Sequence, residues 1–148
     1  MNNDIEFLIC DVAILWRRIF GLLTKDLGIS NIERRIILNI DRHPGSTQIE
    51  IANLIDIEPQ NLIKPLDKLI ELQWIEKHAD PKDRRIKRLF ITKNCQPVLK
   101  EIHKIGDTLR PIILNYMNEK ETRKFLENIT TMQEKLHEHI NDIITKVP

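Results

Sequence analysis

Residues 74–92 constrain the fold of this chain more than any other segment. Trp74-Ile75-Glu76-Lys77-His78 alternates as a strand, Asp80-Pro81 is a turn pair, and alternation resumes through Leu89-Phe90-Ile91-Thr92. Two strands around a turn make a β-hairpin. Its tip is basic: Lys82, Arg84, Arg85, Lys87 and Arg88 place five cations within seven positions. A basic tip on a rigid ribbon suits phosphate, yet a solvated hairpin can also be basic. The flanking sequence decides between the two.

The chain of 148 residues carries 23 basic and 22 acidic side chains, a formal net charge of +1, so it is no non-specific polycation. The charge is segregated, however, with six Lys or Arg against two Asp across residues 79–93. With 41% hydrophobic residues the chain can bury a core. Cys10 and Cys95 lie far apart and form no CxxC pair, which fits a reducing cytoplasm. No apolar run approaches the roughly 18 residues of a membrane span. Asn2, Asn3, Asp4 and Glu6 lack the basic start of a signal peptide, so no membrane partner is expected.

Helical spacing predicts a first helix over Ile5–Leu27, ended by Gly28, with a wide stripe through Phe7, Leu8, Val12, Leu15, Trp16, Ile19, Leu22 and Leu23. Ser30 starts a second helix with Ile32, Ile36, Ile37 and Ile40 on one face, stopped by Pro44-Gly45. Thr47-Gln48-Ile49-Glu50 is a capping box opening a short helix to Ile55, with Ile49, Ala52 and Ile55 expected inward. After a turn, Pro59 takes the first position of a helix running to Leu72, burying Leu62, Leu66 and Leu69. Beyond the hairpin, a helix over Gln96–Tyr116 contains Pro111, expected to kink it. Asn118 and Glu121 then open a last helix with a stripe through Phe125, Ile129, Met132, Leu136 and Ile140. The order is helix–turn–helix–wing between longer helices, mainly α with a small β-hairpin.

This arrangement resembles the MarR/SlyA family of winged helix-turn-helix transcription regulators. The most specific part is Asp83-Arg84-Arg85-Ile86-Lys87-Arg88, which fits the family's D-x-R-x-x-R wing and is followed by Ile91-Thr92. His43-Pro44-Gly45 before Thr47-Gln48-Ile49-Glu50-Ile51-Ala52 resembles the family's HPG…TQxELA. Ile57-Glu58-Pro59, Leu66-Asp67-Lys68-Leu69 and the first-helix segment Leu15-Trp16-Arg17-Arg18 also match in order. The resemblance implies a homodimer, with residues 1–28 and 95–148 as the helical dimerisation region and 29–94 as the DNA-binding lobe. It implies a transcriptional repressor or anti-silencer on a pseudo-palindromic operator, released by a small aromatic or anionic effector, with no cofactor.

Gln60, Asn61 and Lys64 are polar on the side of the recognition helix opposite Leu62, Leu66 and Leu69. Gln and Asn can read adenine in the major groove; Lys favours guanine or phosphate. Lys68 is placed for phosphate, as are Ser46 and Thr47 at a helix start, where capping is Thr47's other role. In the wing, the family motif puts Arg85 in the minor groove, Asp83 as its orienter, and Arg84 and Arg88 as phosphate contacts or supports. Three departures stand out. Pro65 sits within the recognition helix, Gln73 replaces the glycine that ends it, and Arg34, Leu38 and Pro65 replace the usual effector-pocket residues. Of that pocket only Arg17 matches, as a ligand anchor or an ordinary surface cation.

Competing classes are a protein-interaction adaptor whose wing meets an acidic partner, and a thiol sensor using Cys10. The default for Cys10 is a buried inert thiol. No nucleophile–base constellation, Gly-rich phosphate loop or metal-ligand spacing points to an enzyme; His137 and His139, two apart, do not share a helix face.

Overall fold

The structure, a computed structural model, describes residues 4–146. Asn2, Asn3 and the outermost ends of the expected terminal segments lie outside them. The described residues form six α-helices and one antiparallel hairpin: α1 (Ile5–Leu23), α2 (Asn31–Arg42), α3 (Gln48–Leu54), α4 (Pro59–Glu71), β1 (Ile75–Ala79), β2 (Lys87–Ile91), α5 (Gln96–Leu114) and α6 (Glu119–Lys146). The mainly α fold with a hairpin wing is as expected. By contacts the chain separates into two compact units, Met1–Gly106 and Asp107–Pro148. This division groups α1 and the first half of α5 with the winged lobe.

Within the first unit, α1 stops four residues short of the expected Leu27. The Thr24 hydroxyl donates to the Phe20 carbonyl (2.8 Å), and the next amides bond back three residues, Leu27 to Thr24 (3.0 Å) and Gly28 to Lys25 (3.1 Å). The last turn therefore tightens to a 3-10 turn at Lys25–Leu27, and Gly28 closes it in the left-handed region at φ 67°. Ser30 starts α2 through a full capping box: the Glu33 amide donates to Ser30 Oγ (3.2 Å) and the Ser30 amide to Glu33 Oε2 (2.8 Å).

The lobe's core is one cluster in which Ile36, Ile37 and Ile40 of α2, Ile51, Ala52 and Ile55 at α3, Leu62, Leu66 and Leu69 of α4, and Leu89 of β2 are wholly buried. Ile29, Ile75 of β1, Cys95, and Leu99 and Ile102 of α5 complete it. Each such aliphatic side chain contributes about 1.5–3 kcal/mol on leaving water. One core expectation fails. Ile49 is 63% exposed, and Ile51 takes the inward place with Ala52 and Ile55. Steps of three residues fall about 60° behind a helix of 3.6 residues per turn, so 49, 52 and 55 drift off one face, whereas 51, 52 and 55 stay on it.

α4 runs unbroken through Pro65, whose side chain is half-buried. Its C-terminus is a Schellman motif: the Trp74 amide donates to Leu69 O (3.0 Å) and the Gln73 amide to Ile70 O (2.8 Å), with Gln73 left-handed at φ 57°. The hairpin follows at once, with β1 and β2 in register from Ile75↔Ile91 to Ala79↔Lys87. The first strand begins one residue after Trp74, which packs against the core.

In the second unit, the expected cap of α6 is present. Asn118 Oδ1 accepts from the Glu121 amide (3.0 Å) and Glu121 Oε2 from the Asn118 amide (2.8 Å). Along α6 the charged residues pair locally, as in Lys135–Glu138 at 2.7 Å, while Leu126, Leu136, Ile140, Ile143 and Ile144 are exposed. α5 carries Pro111 in its last turn and ends at Leu114, two residues before the expected Tyr116. No described helix is long and apolar enough to cross a membrane.

Candidate nucleic-acid interface

The short turn between α2 and α3 holds the base of the wing. Gly45 adopts φ 84°, a left-handed conformation that favours glycine, and a Cβ there would meet the Phe90 ring at 3.4 Å. The Gly45 amide donates to Leu89 O and the Leu89 amide to Ser46 O, both at 2.9 Å. Thr47 forms an isolated antiparallel bridge with Arg88. A third strip of chain thus pairs with β2 immediately before α3 begins.

Ser46 and Thr47 are occupied locally. Ser46 Oγ donates to the His43 carbonyl (2.8 Å), and Thr47 completes the expected capping box, accepting from Glu50 (3.3 Å) while its amide donates to Glu50 Oε2 (2.6 Å). That amide bond, more than any other contact, holds the Glu50 carboxyl below its ordinary pKa. Gln60, Asn61 and Lys64 are exposed along the first half of α4, opposite the buried Leu62, Leu66 and Leu69. Lys68, expected at phosphate, is engaged inside the lobe: its Nζ donates to Glu33 Oε2 (2.9 Å) and to the Gly28 carbonyl (3.1 Å). Glu33 therefore caps α2 and receives Lys68 with the same oxygen.

At the wing tip, Asp83 holds Arg85 in a fork. Arg85 Nε reaches Asp83 Oδ1 and Nη2 reaches Oδ2, each at 3.1 Å, and the Arg85 amide adds a third bond to Oδ1 at 3.0 Å. Bidentate pairing fixes a guanidinium in direction as well as position. The Arg85 side chain remains 91% exposed, aimed outward on a braced base. The Arg85 guanidinium, followed by its backbone amide, lowers the Asp83 pKa. Arg84 is exposed beside it.

Asp80, read from sequence only as a turn residue, is buried. It accepts from the Lys82 amide (2.8 Å), the Asp83 amide (3.1 Å) and Arg88 Nε. The Arg88 contact, then the two amides, hold its carboxyl below the ordinary range. Arg88 also donates from Nη1 to the Gly45 carbonyl (2.9 Å). The local Asx turn was legible in Asp80-Pro81; a partner eight residues later was not.

Arg17 lies apart from these groups on α1, exposed, with its Nε donating to the Ala13 carbonyl (3.3 Å). Arg34 is buried with its guanidinium 4.3 Å from the centre of the Phe20 ring, a cation–π contact. Burial, then the charge of Arg35, lowers its pKa. Cys10 is exposed, contrary to its default as a buried thiol, and Cys95 is buried.

A recognition helix with a free polar face, preceded by a capped short helix and followed by a braced basic hairpin, defines a winged helix-turn-helix. Residues 27–86 match the model of the MarR family. The whole chain is similar in fold to MarR, at TM-score 0.82 and 22% identity over 96% of this chain and 98% of that one. It is equally similar to the transcriptional regulator SlyA, at TM-score 0.82 and 20% identity over 95% and 99%. A third similar structure is Staphylococcus aureus MepR solved with DNA, at TM-score 0.75 and 18% identity over 91% and 99%.

Proposed function

We propose that this protein is a sequence-specific DNA-binding transcription regulator that binds a pseudo-palindromic operator as a homodimer. The observation that carries this reading is the Asp83–Arg85 fork on an exposed basic tip directly behind a helix-turn-helix. α4 enters the major groove with Gln60, Asn61 and Lys64 toward base edges, and Arg85 enters the minor groove, where narrow A·T tracts concentrate negative potential. Arg84 meets the phosphate backbone. Ser46 and Thr47 offer what their local bonds leave free, and Lys68 contributes charge from its pair with Glu33.

A second copy of the chain covers the apolar faces left open on the terminal helices. On α1, Phe7, Leu8, Val12, Leu15 and Leu22 are each more than half exposed, and Leu136 and Ile144 of α6 are exposed likewise. Residues 1–28 and 95–148 act as the dimerisation region in this reading, and 29–94 as the DNA-binding lobe. The regulator works in the cytoplasm as a repressor or anti-silencer, with Arg17 the anchor for an anionic effector. Catalysis has no part in it.

The test is selection of duplexes from a random pool by the intact protein. Enrichment of two inverted half-sites about one helical turn apart supports the reading. An unenriched pool together with capture of an acidic protein would favour an adaptor instead.

A further inference from the structure

We infer that Arg88 is a positioning residue rather than a phosphate contact: with Asp80 it clamps the wing to the turn between α2 and α3. The inference rests on the DNA-binding reading and adds to it a division of labour among the wing's arginines. Arg85 projects from the tip with its side chain 91% exposed, whereas that of Arg88 is 38% exposed and two of its nitrogens are taken up inside the lobe. Nε is held by Asp80, whose side chain is only 9% exposed, and Nη1 by the Gly45 carbonyl.

These partners belong to different parts of the DNA-binding surface. Asp80 organises the tip, since it also receives the amides of Lys82 and Asp83, and Asp83 in turn orients Arg85. Gly45 belongs to the turn that leads into α3, and its backbone is already paired with Leu89. Arg88 therefore joins the group that aims Arg85 to the segment that starts the helix-turn-helix. A wing hinged only on its two strands could swing; one tied through Arg88 holds the minor-groove arginine in fixed relation to α4. An arginine spent on two internal acceptors is poorly placed to neutralise phosphate.

The two roles make opposite predictions for a residue that faces the clamp and not the solvent. If Arg88 were a phosphate contact, neutralising Asp80 would remove a nearby negative charge and leave affinity unchanged or raised. If Arg88 is a clamp, Asp80→Asn loosens the wing and weakens binding. Affinity for the selected duplex is measured by fluorescence anisotropy for the native chain, Asp80→Asn, Arg88→Gln and the double variant. Amide hydrogen exchange on the free proteins is followed in parallel.

The expected result is a loss of about tenfold for each single variant, within the range of side chains sharing one network, and no further loss in the double variant. Exchange at Gly45 and Leu89 quickens in both single variants, while Ile36 and Ile37 stay protected, showing that the core has folded. Native-like or tighter binding by Asp80→Asn, or losses that add in the double variant, would overturn the clamp. Absence of duplex binding by the native chain would instead sink the DNA-binding reading, and unchanged exchange at Gly45 and Leu89 would then still refute the clamp.

Discussion

Gln73→Gly should stabilise this protein, although it removes a larger side chain and adds a flexible residue. Gln73 sits at φ 57° as the left-handed residue of the Schellman motif that ends α4. A residue with a Cβ costs about 1–2 kcal/mol in that region. Glycine avoids this strain but gives the unfolded chain more freedom, a loss of about 0.4–1 kcal/mol. The Gln73 side chain is exposed, and its one bond from outside the helix end, Thr92 Oγ1 to the Gln73 carbonyl at 2.5 Å, involves the main chain and survives substitution. The balance is a gain of about 0.5–1 kcal/mol, or roughly 1–4 °C in Tm for a chain of this size. Urea unfolding at one fixed protein concentration measures it, with Gln73→Ala as the control that keeps the Cβ. If Gln73→Gly were less stable than Gln73→Ala, the helix end would not be held in the left-handed conformation and the reasoning would fail.

Two further outcomes follow from the titrating groups. The carboxyl of Asp80 has its pKa lowered from 3.8, so its contribution is fully present above that value and is lost as pH falls through the lower folded pKa. The gap in urea midpoint between the native chain and Asp80→Asn should therefore be constant near neutral pH and shrink below pH 3.8. A gap that widened on acidification would contradict the contacts to Arg88 and the two amides. Burial and then the charge of Asp41 push the Cys95 thiol up to about 11. In a Cys10→Ser variant it should stay silent toward a chromogenic disulfide at pH 8 until the protein is unfolded, and rapid reaction of the folded protein would show that the site is open.

Where a structural signal was local, it could be read from sequence. The boxes at Thr47 and Asn118 close within three residues, the hairpin shows as a change of period, and Leu62, Leu66 and Leu69 face inward at a spacing that helical geometry enforces. Ser30 and Glu33 carry the same capping signature. What escaped depended on distance along the chain. The bond from Lys68 to Glu33 is not legible because the two lie 35 residues apart, and the sequence leaves Arg88 as a phosphate contact or a support because its bond to Gly45 spans 43 residues. Ile49 reads as inward because a seven-residue helix has too few turns for its period to correct a spacing of three. The Asp83–Arg85 pair spans two residues, so its geometry is local; its implied role came with the family's wing motif.

Salt-dependent affinity of the native chain and Arg85→Ala for the selected duplex tests the DNA-binding proposal most directly. For a protein that neutralises several phosphates, log affinity falls linearly with log salt, with a slope of about 0.9 per phosphate contact on duplex DNA. The expected result is a steep slope for the native chain and a loss of about 1–3 kcal/mol for Arg85→Ala at physiological salt, the range of a good specific contact. Affinity that ignores salt, or is the same with and without the Arg85 guanidinium, would contradict a wing built to meet DNA.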